Sequence, residues 1–512
     1  MNKKKTIGIV LLIAAFLTAI VLTLVLYLPA TNEGTSVPGE ASIHLAGDHI
    51  EFSGTGAELE ENRITIKQAG TYEVDGTLNN GQIRVKTGAS ENVTLVLNNI
   101  SLTNPDREAI YVKEAGSVVL ELKEGTKNTV CSGNVPDNIT ENENLFSQKE
   151  DSSFQTAVAA LQTDDNAKRA AIYSKGDLTL NGTGKLHVFG YIKNGIQAKN
   201  KLHIQNGEFQ IIACNHGMKG NAAFIMENGT AAIIAGNDGI RSDQTAEVKN
   251  GAVMVLNSDE GIEANQITVS GGNLDLTAND DGMNACTAED ADGQKLDTVP
   301  NLHIQGGTVA IHASGDGIDS NGNLLVSGGE LTIDGPENDG NGAIDSGSEN
   351  NGTCKIDGGT IIALGSSGMA EGFEESSKQC SFLYNSPAQW PVGTKLTIYD
   401  EKGTALYKYT TKKTANSIVF SSPALKKGNS YTLEATDTSG NKTTETIKQE
   451  SVSVSAGESS FRGGKKGGFH PDGSTHPFDG KRPPDQGHAP GQRPEGTPPG
   501  KPAQDSGLSS QN

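Results

Sequence analysis

The middle of the chain consists of short segments in which apolar and polar residues alternate, separated by turns rich in Gly and Asn. Alternation of this kind predicts β-strands. One apolar position recurs with successive gaps of 22, 22, 22 and 21 residues, at Ile196, Met218, Ile240, Ile262 and Met283. A nearly constant period over this many units predicts a stacked repeat.

Each unit contains two further strands. The second strand is predicted at triplets 202–204, 223–225, 246–248, 267–269, 302–304 and 324–326. The third strand is predicted at triplets 209–211, 231–233, 252–254, 274–276 and 309–311. Three strands in about 22 residues make one coil of a parallel β-solenoid, in which stacking of the coils buries the inward side chains. A leucine-rich repeat has a similar period, but its L-x-x-L-x-L framework is absent from this sequence.

The pattern divides the chain into five segments. We predict a signal anchor at 1–30, a linker at 31–41, the β-solenoid at 42–380, a small β-sandwich-like cap at 381–450 and a disordered tail at 451–512. The tail is rich in Gly, Pro and charged residues, and such a composition cannot bury enough apolar surface to fold. Two segments, 132–168 and 286–300, interrupt the period and are predicted to leave the solenoid as loops.

The first segment indicates where the protein works. Lys3, Lys4 and Lys5 precede an uncharged run of 22 residues at 7–28, which as a helix would be about 33 Å long and would span a bilayer. Cleaved signal peptides have apolar regions of only about 7–15 residues. We therefore favour an uncleaved transmembrane anchor, with cleavage and secretion as the alternative. In either case the positive flank stays in the cytoplasm and the body of the protein lies outside the cell.

The net charge disfavours some classes of ligand, and the cysteine content disfavours some kinds of metal, redox and disulfide site. The formal net charge is −21, which disfavours nucleic acid and anionic lipid as ligands because phosphate binding requires a basic surface. The five cysteines include no C-x-x-C, which disfavours the usual zinc and redox motifs, and their odd number disfavours a complete disulfide framework. We expect a monomer that contacts a membrane only through its N-terminal helix.

Aligned on the recurring apolar position, the repeats place acidic residues in two columns. Two residues earlier stand His216, Asp238, Glu260, Asp281 and Asp316. One residue later stand Lys219, Arg241, Glu263, Asn284, Asp319 and Asp345. Equal positions of a solenoid lie above one another, and two carboxylates about 5 Å apart repel by about 3 kcal/mol at an effective dielectric constant of about 20. A bound divalent cation relieves this repulsion, and Ca²⁺ takes about six to eight oxygen ligands in flexible geometry.

The two columns and their flanks therefore predict a calcium site. Its candidate ligands are Asp238, Asp259, Glu260, Glu263, Asp280, Asp281, Asn284, Asp316 and Asp319. The alternative is that Asp-Gly and Asn-Gly only form turns, with their side chains in water. Lys219 and Arg241 are predicted to neutralise neighbouring acids or to contact a bound sugar acid. With a lowered pKa, either residue would instead be able to abstract the proton α to a uronate carboxylate beside Ca²⁺.

Five segments of the chain form an ordered set of motifs, at 70–85, 170–190, 194–209, 216–220 and 237–243. These motifs resemble those of the bacterial surface carbohydrate-binding domain-containing proteins, and the resemblance extends over about residues 42–380. It implies a right-handed parallel β-helix similar to polysaccharide lyases, binding of plant-type polysaccharides including acidic sugars, and bound Ca²⁺. Carried over by motif, the G-x-[KR]-G stretch falls on 217–220 and the calcium-type acids on Asp238, Asp259, Glu260 and Asp281. Lyase-like architecture in this family does not imply lyase activity.

Three functions remain open at this point. The leading hypothesis is an extracellular, calcium-dependent protein that binds plant cell-wall or acidic (uronic acid) polysaccharide, with Ca²⁺ shared between protein and sugar carboxylates. The second is a calcium-dependent, pectate-type lyase with Lys219 or Arg241 as base. The third is a structural surface stalk or adhesin whose acids are solvated turns.

Overall fold

A computed structural model describes residues 40–134, 146, 158, 161, 170–287, 297–348 and 351–458 of the chain. All 41 regular elements within these residues are β-strands. The first ten are β1 Glu40–Gly47, β2 Ile50–Ser53, β3 Ala57–Glu60, β4 Arg63–Ile66, β5 Gly70–Leu78, β6 Gln82–Lys86, β7 Asn92–Asn104, β8 Ile110–Glu114, β9 Ser117–Leu122 and β10 Lys127–Ser132. The next 24 are β11 Ala170–Ser174, β12 Leu178–Gly182, β13 Lys185–Gly190, β14 Asn194–Ala198, β15 Lys201–Ile204, β16 Glu208–Ala213, β17 Met218–Gly220, β18 Ala223–Met226, β19 Thr230–Ala235, β20 Ile240–Arg241, β21 Thr245–Val248, β22 Ala252–Asn257, β23 Ile262–Ala264, β24 Gln266–Val269, β25 Asn273–Thr277, β26 Met283–Ala285, β27 Asn301–Ile304, β28 Thr308–His312, β29 Ile318–Ser320, β30 Asn323–Val326, β31 Glu330–Asp334, β32 Ile344–Ser346, β33 Cys354–Ile356 and β34 Thr360–Gly365. The last seven are β35 Ser381–Trp390, β36 Lys395–Tyr399, β37 Ala405–Thr410, β38 Ala415–Ser421, β39 Ser430–Thr436, β40 Lys442–Lys448 and β41 Ser453–Gly457.

The coils stack as three ladders of strands. The first sheet contains the 12 strands β3, β4, β6, β8, β11, β14, β17, β20, β23, β26, β29 and β32. After the antiparallel pair β3–β4, its neighbouring strands are parallel. The second ladder runs through β12, β15, β18, β21, β24, β27, β30 and β33, and the third through β13, β16, β19, β22, β25, β28, β31 and β34. Each coil visits all three ladders, so the protein is an all-β, β-helix-like stack.

Inward side chains of successive coils form a continuous apolar core. In the first sheet Met218 pairs with Ile196 on one side and with Ile240 on the other, and Ile262 pairs with Ile240 and Met283. All five are 0% exposed. The apolar position that recurs in the sequence is therefore the inward column of the first sheet, and each member is buried by its neighbours above and below.

Two of the sequence-predicted triplets are wrong by one residue. In β18 the inward residues are Phe224 and Met226, because Phe224 stacks on Leu202 of β15. In β22 the inward residues include Val253, whereas Met254 points outward and is 38% exposed. Both strands contain apolar residues on both faces, so alternation alone does not determine which face lies inside.

Seven strands follow the last coil. β38 pairs antiparallel with β34 and with β35, and β35 pairs parallel with β41. β37, β36, β39 and β40 form a separate four-stranded antiparallel sheet, and a second apolar core that includes Trp390, Phe420 and Tyr431 lies in this region. Pairing with β38 covers the open edge of the third ladder, which would otherwise be free to pair with another chain. Because β41 lies within 451–512, order extends past the predicted start of the tail.

The remaining sequence predictions concern the anchor, the loops and the cysteines. No helix in the described part of the chain is long and apolar enough to cross a membrane, and the run at 7–28 lies outside that part. Most of the two predicted loops, and the tail after residue 458, also lie outside it. The five cysteines are free, as expected for a chain without a disulfide framework.

Candidate functional site

The acidic columns lie at one corner of the stack, in the turns that lead from the third ladder to the first sheet. Each turn hydrogen-bonds to the next through its backbone. The amide of Gly217 donates to the carbonyl of Asp238 (3.0 Å), that of Gly239 to Glu260 (2.8 Å) and that of Gly261 to Asp281 (3.0 Å). Acids from successive coils are therefore held above one another, as the alignment of the repeats predicts.

A glycine between the acid and the inward residue makes this stacking possible. A Cβ on Gly239 would lie 2.7 Å from a methyl group of Val255 and 2.8 Å from the carbonyl oxygen of Gly261. A Cβ on Gly261 would lie 2.3 Å from the carbonyl oxygen of Gly282. At Gly239 and Gly261 the neighbouring turns therefore approach too closely for a side chain.

Within the described residues, two groups of three carboxylates are close enough to share a cation. The first cluster comprises Asp238, Glu260 and Glu263, and the second comprises Asp281, Asp316 and Asp319. In each cluster one oxygen from each residue lies within 4.8 Å of the others. All six were predicted as metal ligands from the sequence, and the structure assigns them to two separate groups.

The first cluster already contains a cation. The guanidinium Nη1 of Arg241 lies 3.3 Å from Oδ2 of Asp238 and also contacts the carboxylate of Glu263. Burial opposes the ionisation of Asp238, which is 1% exposed, but His216 and Arg241 hold its pKa below the ordinary value. Burial also opposes the charge on Arg241, but Asp238 and Glu263 raise its pKa. This raised pKa is the opposite of what a base needs, so the structure disfavours Arg241 as a proton acceptor.

In the second cluster two carboxylates accept hydrogen bonds from backbone amides instead of pairing with an arginine. Oδ1 of Asp281 accepts a hydrogen bond from the backbone amide of Asp316 at 2.7 Å, and Oδ1 of Asp316 accepts one from the amide of Gly342 at 2.5 Å. Burial, and then the neighbouring carboxylates, raise the pKa of Asp281 to about 8. Burial, together with Asp345 and Asp280, raises the pKa of Asp316 to about 7. Neither Asp281 nor Asp316 has an ion pair with a lysine or arginine of the described residues.

Three buried oxygen atoms at this corner have no hydrogen-bond donor among the described residues, two of them in the first cluster and one on the neighbouring Asn284. They are Oδ1 of Asp238, Oε2 of Glu260 and Oδ1 of Asn284. Asn284 stands between Glu263 and Asp319 in the register of the first sheet, and its amide donates to Oε1 of Glu260 at 3.2 Å. Burial and the adjacent acids raise the pKa of Glu260 well above its ordinary value. Buried acceptors normally have a partner, and these three are the oxygen types that Ca²⁺ binds.

The other residues singled out from the sequence lie around these clusters. Lys219 forms an ion pair with Asp243 (2.9 Å) and its side chain is 15% exposed, so it presents little surface to a sugar. Asp259 and Asp280 are exposed on the flank and belong to neither group of three. Cys286, which the sequence did not single out, donates through its thiol to Oε1 of Glu263 at 2.9 Å. The feature of the sequence that could have identified Cys286 is its position, two residues after Asn284 and directly after the end of β26.

Comparison with known proteins shows which proteins the chain resembles. The family model described as "Carbohydrate-binding domain-containing protein" matches residues 60–298 and 247–467. A curated relative with the same description, from Acetivibrio thermocellus, is 32% identical over 158 residues, which are 31% of this chain and 48% of the relative. The chain thus spans about half the length of that relative. A solved structure described as the polysaccharide lyase-like protein from C. thermocellum, as a gadolinium derivative, is 26% identical and covers 56% of this chain and 96% of its own, with a TM-score of 0.40.

Proposed function

Because the chain belongs to the carbohydrate-binding domain-containing protein family, we propose that it binds polysaccharide through Ca²⁺ held at the acidic corner. The ligand class is a plant cell-wall or other acidic glycan, whose uronate groups would complete the coordination of the ion. We further propose, from the N-terminal sequence pattern, that this binding takes place outside the cell.

The observation that carries this proposal is the second cluster. One oxygen of each of its three carboxylates lies within 4.8 Å of the other two. The pKa values of Asp281 and Asp316 are raised to about 8 and about 7. Repulsion of about 3 kcal/mol for each pair at this separation has to be relieved, either by protons or by a cation. At neutral pH a divalent cation relieves it more completely, because it neutralises two charges and brings the oxygens together.

Asp281, Asp316 and Asp319 would hold the ion, with Asn284 as a further oxygen donor in the adjacent position of the first sheet. The ion would supply positive charge to which a sugar carboxylate can coordinate. The first cluster has a different role in this proposal. Since Arg241 already joins two of its three carboxylates, the chain itself compensates part of the charge of that cluster, whereas neither Asp281 nor Asp316 of the second cluster has such a cation among the described residues.

Charge supports calcium as the link to an acidic glycan. A protein with a formal net charge of −21 repels a polyanion over about a Debye length, roughly 8 Å at physiological ionic strength. Ca²⁺ bound at the surface reverses the sign of the field locally, so that attraction is confined to the place where the ion sits.

The test is retention on immobilised polygalacturonate, with metal analysis of protein purified without chelator. We expect bound calcium in the purified protein, retention in Ca²⁺ and elution by excess chelator. Asp316→Asn should lose both calcium and retention. The matched control is Glu124→Gln, which removes an exposed charge from the turn between β9 and β10 and should keep both. Retention that is unchanged in excess chelator would refute the calcium link.

A second readout in the same experiment addresses lyase chemistry. A lyase would release unsaturated uronides, which are detected by their ultraviolet absorbance. We expect none, because the pKa of Arg241 is raised and Lys219 is held in an ion pair with Asp243. Product formation at alkaline pH with Ca²⁺ would show that the protein cleaves the glycan as well as binding it.

A further inference from the structure

The same corner of the stack contains a second site near its N-terminal end. The hairpin that joins β3 to β4 and the turns that precede β6 and β8 surround a pocket of about 620 Å³. Ligand pockets in proteins typically have volumes of about 300–1,000 Å³. The pocket is six ladder steps from the turn that carries Asp281, counted along the first sheet from β8 to β26. At about 4.8 Å for each step, the separation is about 29 Å.

The floor of the pocket is rigid. The side-chain amide of Asn104 donates to the carbonyl oxygen of Gly81 at 2.8 Å, and its Oδ1 accepts from the backbone amides of Asp106 and Arg107 at 3.1 Å each. The amide of Gln82 donates to the carbonyl oxygen of Glu108 at 2.8 Å. Both floor residues are about 5% exposed, so their hydrogen bonds fix the shape of the pocket before any ligand arrives.

The wall carries polar groups that have no partner within the described residues. The side-chain amides of Asn62 and Asn80 line the pocket and make no hydrogen bond there. Nε of Arg63 is buried and has no acceptor, although its Nη2 contacts Glu60. The exposed guanidinium of Arg107 forms no ion pair in the described structure. Nε of Arg63 is itself shielded from solvent, so the groups of the wall that a ligand can reach most readily are the exposed side chains of Asn80 and Arg107.

The balance of charge identifies the class of ligand. Arg63 and Arg107 face three carboxylates in the lining, those of Glu60, Glu61 and Asp106. The formal sum of two positive and three negative charges is −1, which gives no advantage to an anion. Planar amide, guanidinium and carboxylate groups around one small space are instead suited to several hydroxyl groups, which both donate and accept hydrogen bonds. A neutral sugar ring presents such hydroxyls.

We propose that this pocket is a metal-independent subsite for a neutral pyranose residue. The proposal rests on the proposed function only in taking a glycan as the ligand, since neither the calcium cluster nor an acidic sugar is required for it. The pocket and the acidic corner lie along one edge of the first sheet, so a long polysaccharide can contact both. A mono- or disaccharide is too short to span about 29 Å, and it therefore reports on the pocket alone.

The experiment measures binding of neutral disaccharides, with cellobiose, lactose and maltose as probes, to the full-length protein by ligand-observed NMR in excess chelator. We expect binding of at least one probe. Arg107→Ala should weaken it about tenfold and Asn80→Ala about fivefold, since each removes hydrogen bonds to the sugar. The matched control Lys86→Ala removes an exposed positive charge at the far end of β6, outside the pocket, and should leave binding unchanged.

The outcomes separate this site from the calcium site. Absence of binding by all three probes, or equal binding by the wild type and both pocket variants, overturns the pocket proposal. If polygalacturonate retention in Ca²⁺ persists in that case, the proposed function stands without the pocket. If neutral sugars bind in chelator but calcium-dependent retention fails, the pocket stands and the calcium link falls. Both exposed substitutions leave the floor intact, so unfolding does not explain a loss of binding.

Discussion

Replacement of Asp281 by asparagine tests whether the second cluster is a set of mutually repelling charges. The pKa of Asp281 rises from its ordinary value of 3.8 to about 8 in the folded protein. A carboxyl group with a raised pKa contributes stability that is fully present below pH 4 and is lost as the pH rises through the folded-state value. The calcium-free protein should therefore lose stability between about pH 4 and pH 8.

The magnitude follows from the geometry of the cluster. Oxygens of the three carboxylates lie within 4.8 Å of one another, and each ionised pair costs about 3 kcal/mol at an effective dielectric constant of about 20. Asparagine removes the charge of Asp281 while its Oδ1 can still accept from the amide of Asp316. Asp281 belongs to two of these pairs, so in chelator Asp281→Asn should raise the free energy of unfolding by about 6 kcal/mol at pH 9 and change it little at pH 5.

The assay is thermal and urea unfolding followed by circular dichroism at pH 5 and pH 9, with chelator or with Ca²⁺. In Ca²⁺ the order should reverse, because the variant lacks one ligand and gains less from the ion than the wild type does. The control is Asp280→Asn, which removes an exposed charge next to the cluster and should have a smaller effect. If Asp281→Asn destabilises the chelated protein at pH 9, or acts equally at both pH values, the reasoning about repulsion is wrong.

Three further substitutions test other parts of the structure, each by thermal unfolding. Arg241→Gln should destabilise the protein by about 3–5 kcal/mol, because it leaves two mostly buried carboxylates without their cation; a neutral effect would mean that the first cluster is protonated or binds a metal. Phe224→Ala should cost about 3–5 kcal/mol by opening a cavity between coils, whereas Ile225→Ala on the outward face should cost less than about 1 kcal/mol; equal costs would contradict the register of β18. Tyr409→Phe removes the hydroxyl that donates to the buried carboxylate of Asp334 and should cost about 1–3 kcal/mol; no loss would show that this link between the cap and the last coils is dispensable.

The ladders and the acidic corner could be predicted from the sequence because they depend on spacing. Residues one period apart are neighbours in a stack, so the alignment of Ile240 with Ile262 also places Asp238 beside Glu260. The inward face of β18 could not be predicted in this way, since Phe224 and Ile225 are both apolar and only packing selects between them. The sequence predicted that Arg241 neutralises neighbouring acids, which its ion pairs confirm, but it did not show that the acids divide into two clusters of which only the first contains this arginine.

The N-terminal pocket was not found from the sequence for a different reason. Its polar groups come from three turns at the N-terminal end of the first sheet, including the hairpin between β3 and β4, where no regular coil precedes them. Asn62 and Arg107 carry no recurrent spacing, and each is an ordinary turn or surface residue by itself. Such sites depend on the irregular first coils, whereas periodicity identifies only what the coils share.

The glycine that allows neighbouring turns to touch has a consequence for how such a protein can change in length. Acid, glycine and inward apolar residue occupy three consecutive positions, so one duplicated unit of about 22 residues would insert a new turn with all three already aligned. A tandem duplication in the gene would thus extend the charged edge without any redesign of its neighbours. An insertion of a single residue inside the triplet would instead bring a side chain to the position where Gly239 now meets the carbonyl of Gly261, and the two coils would be forced apart.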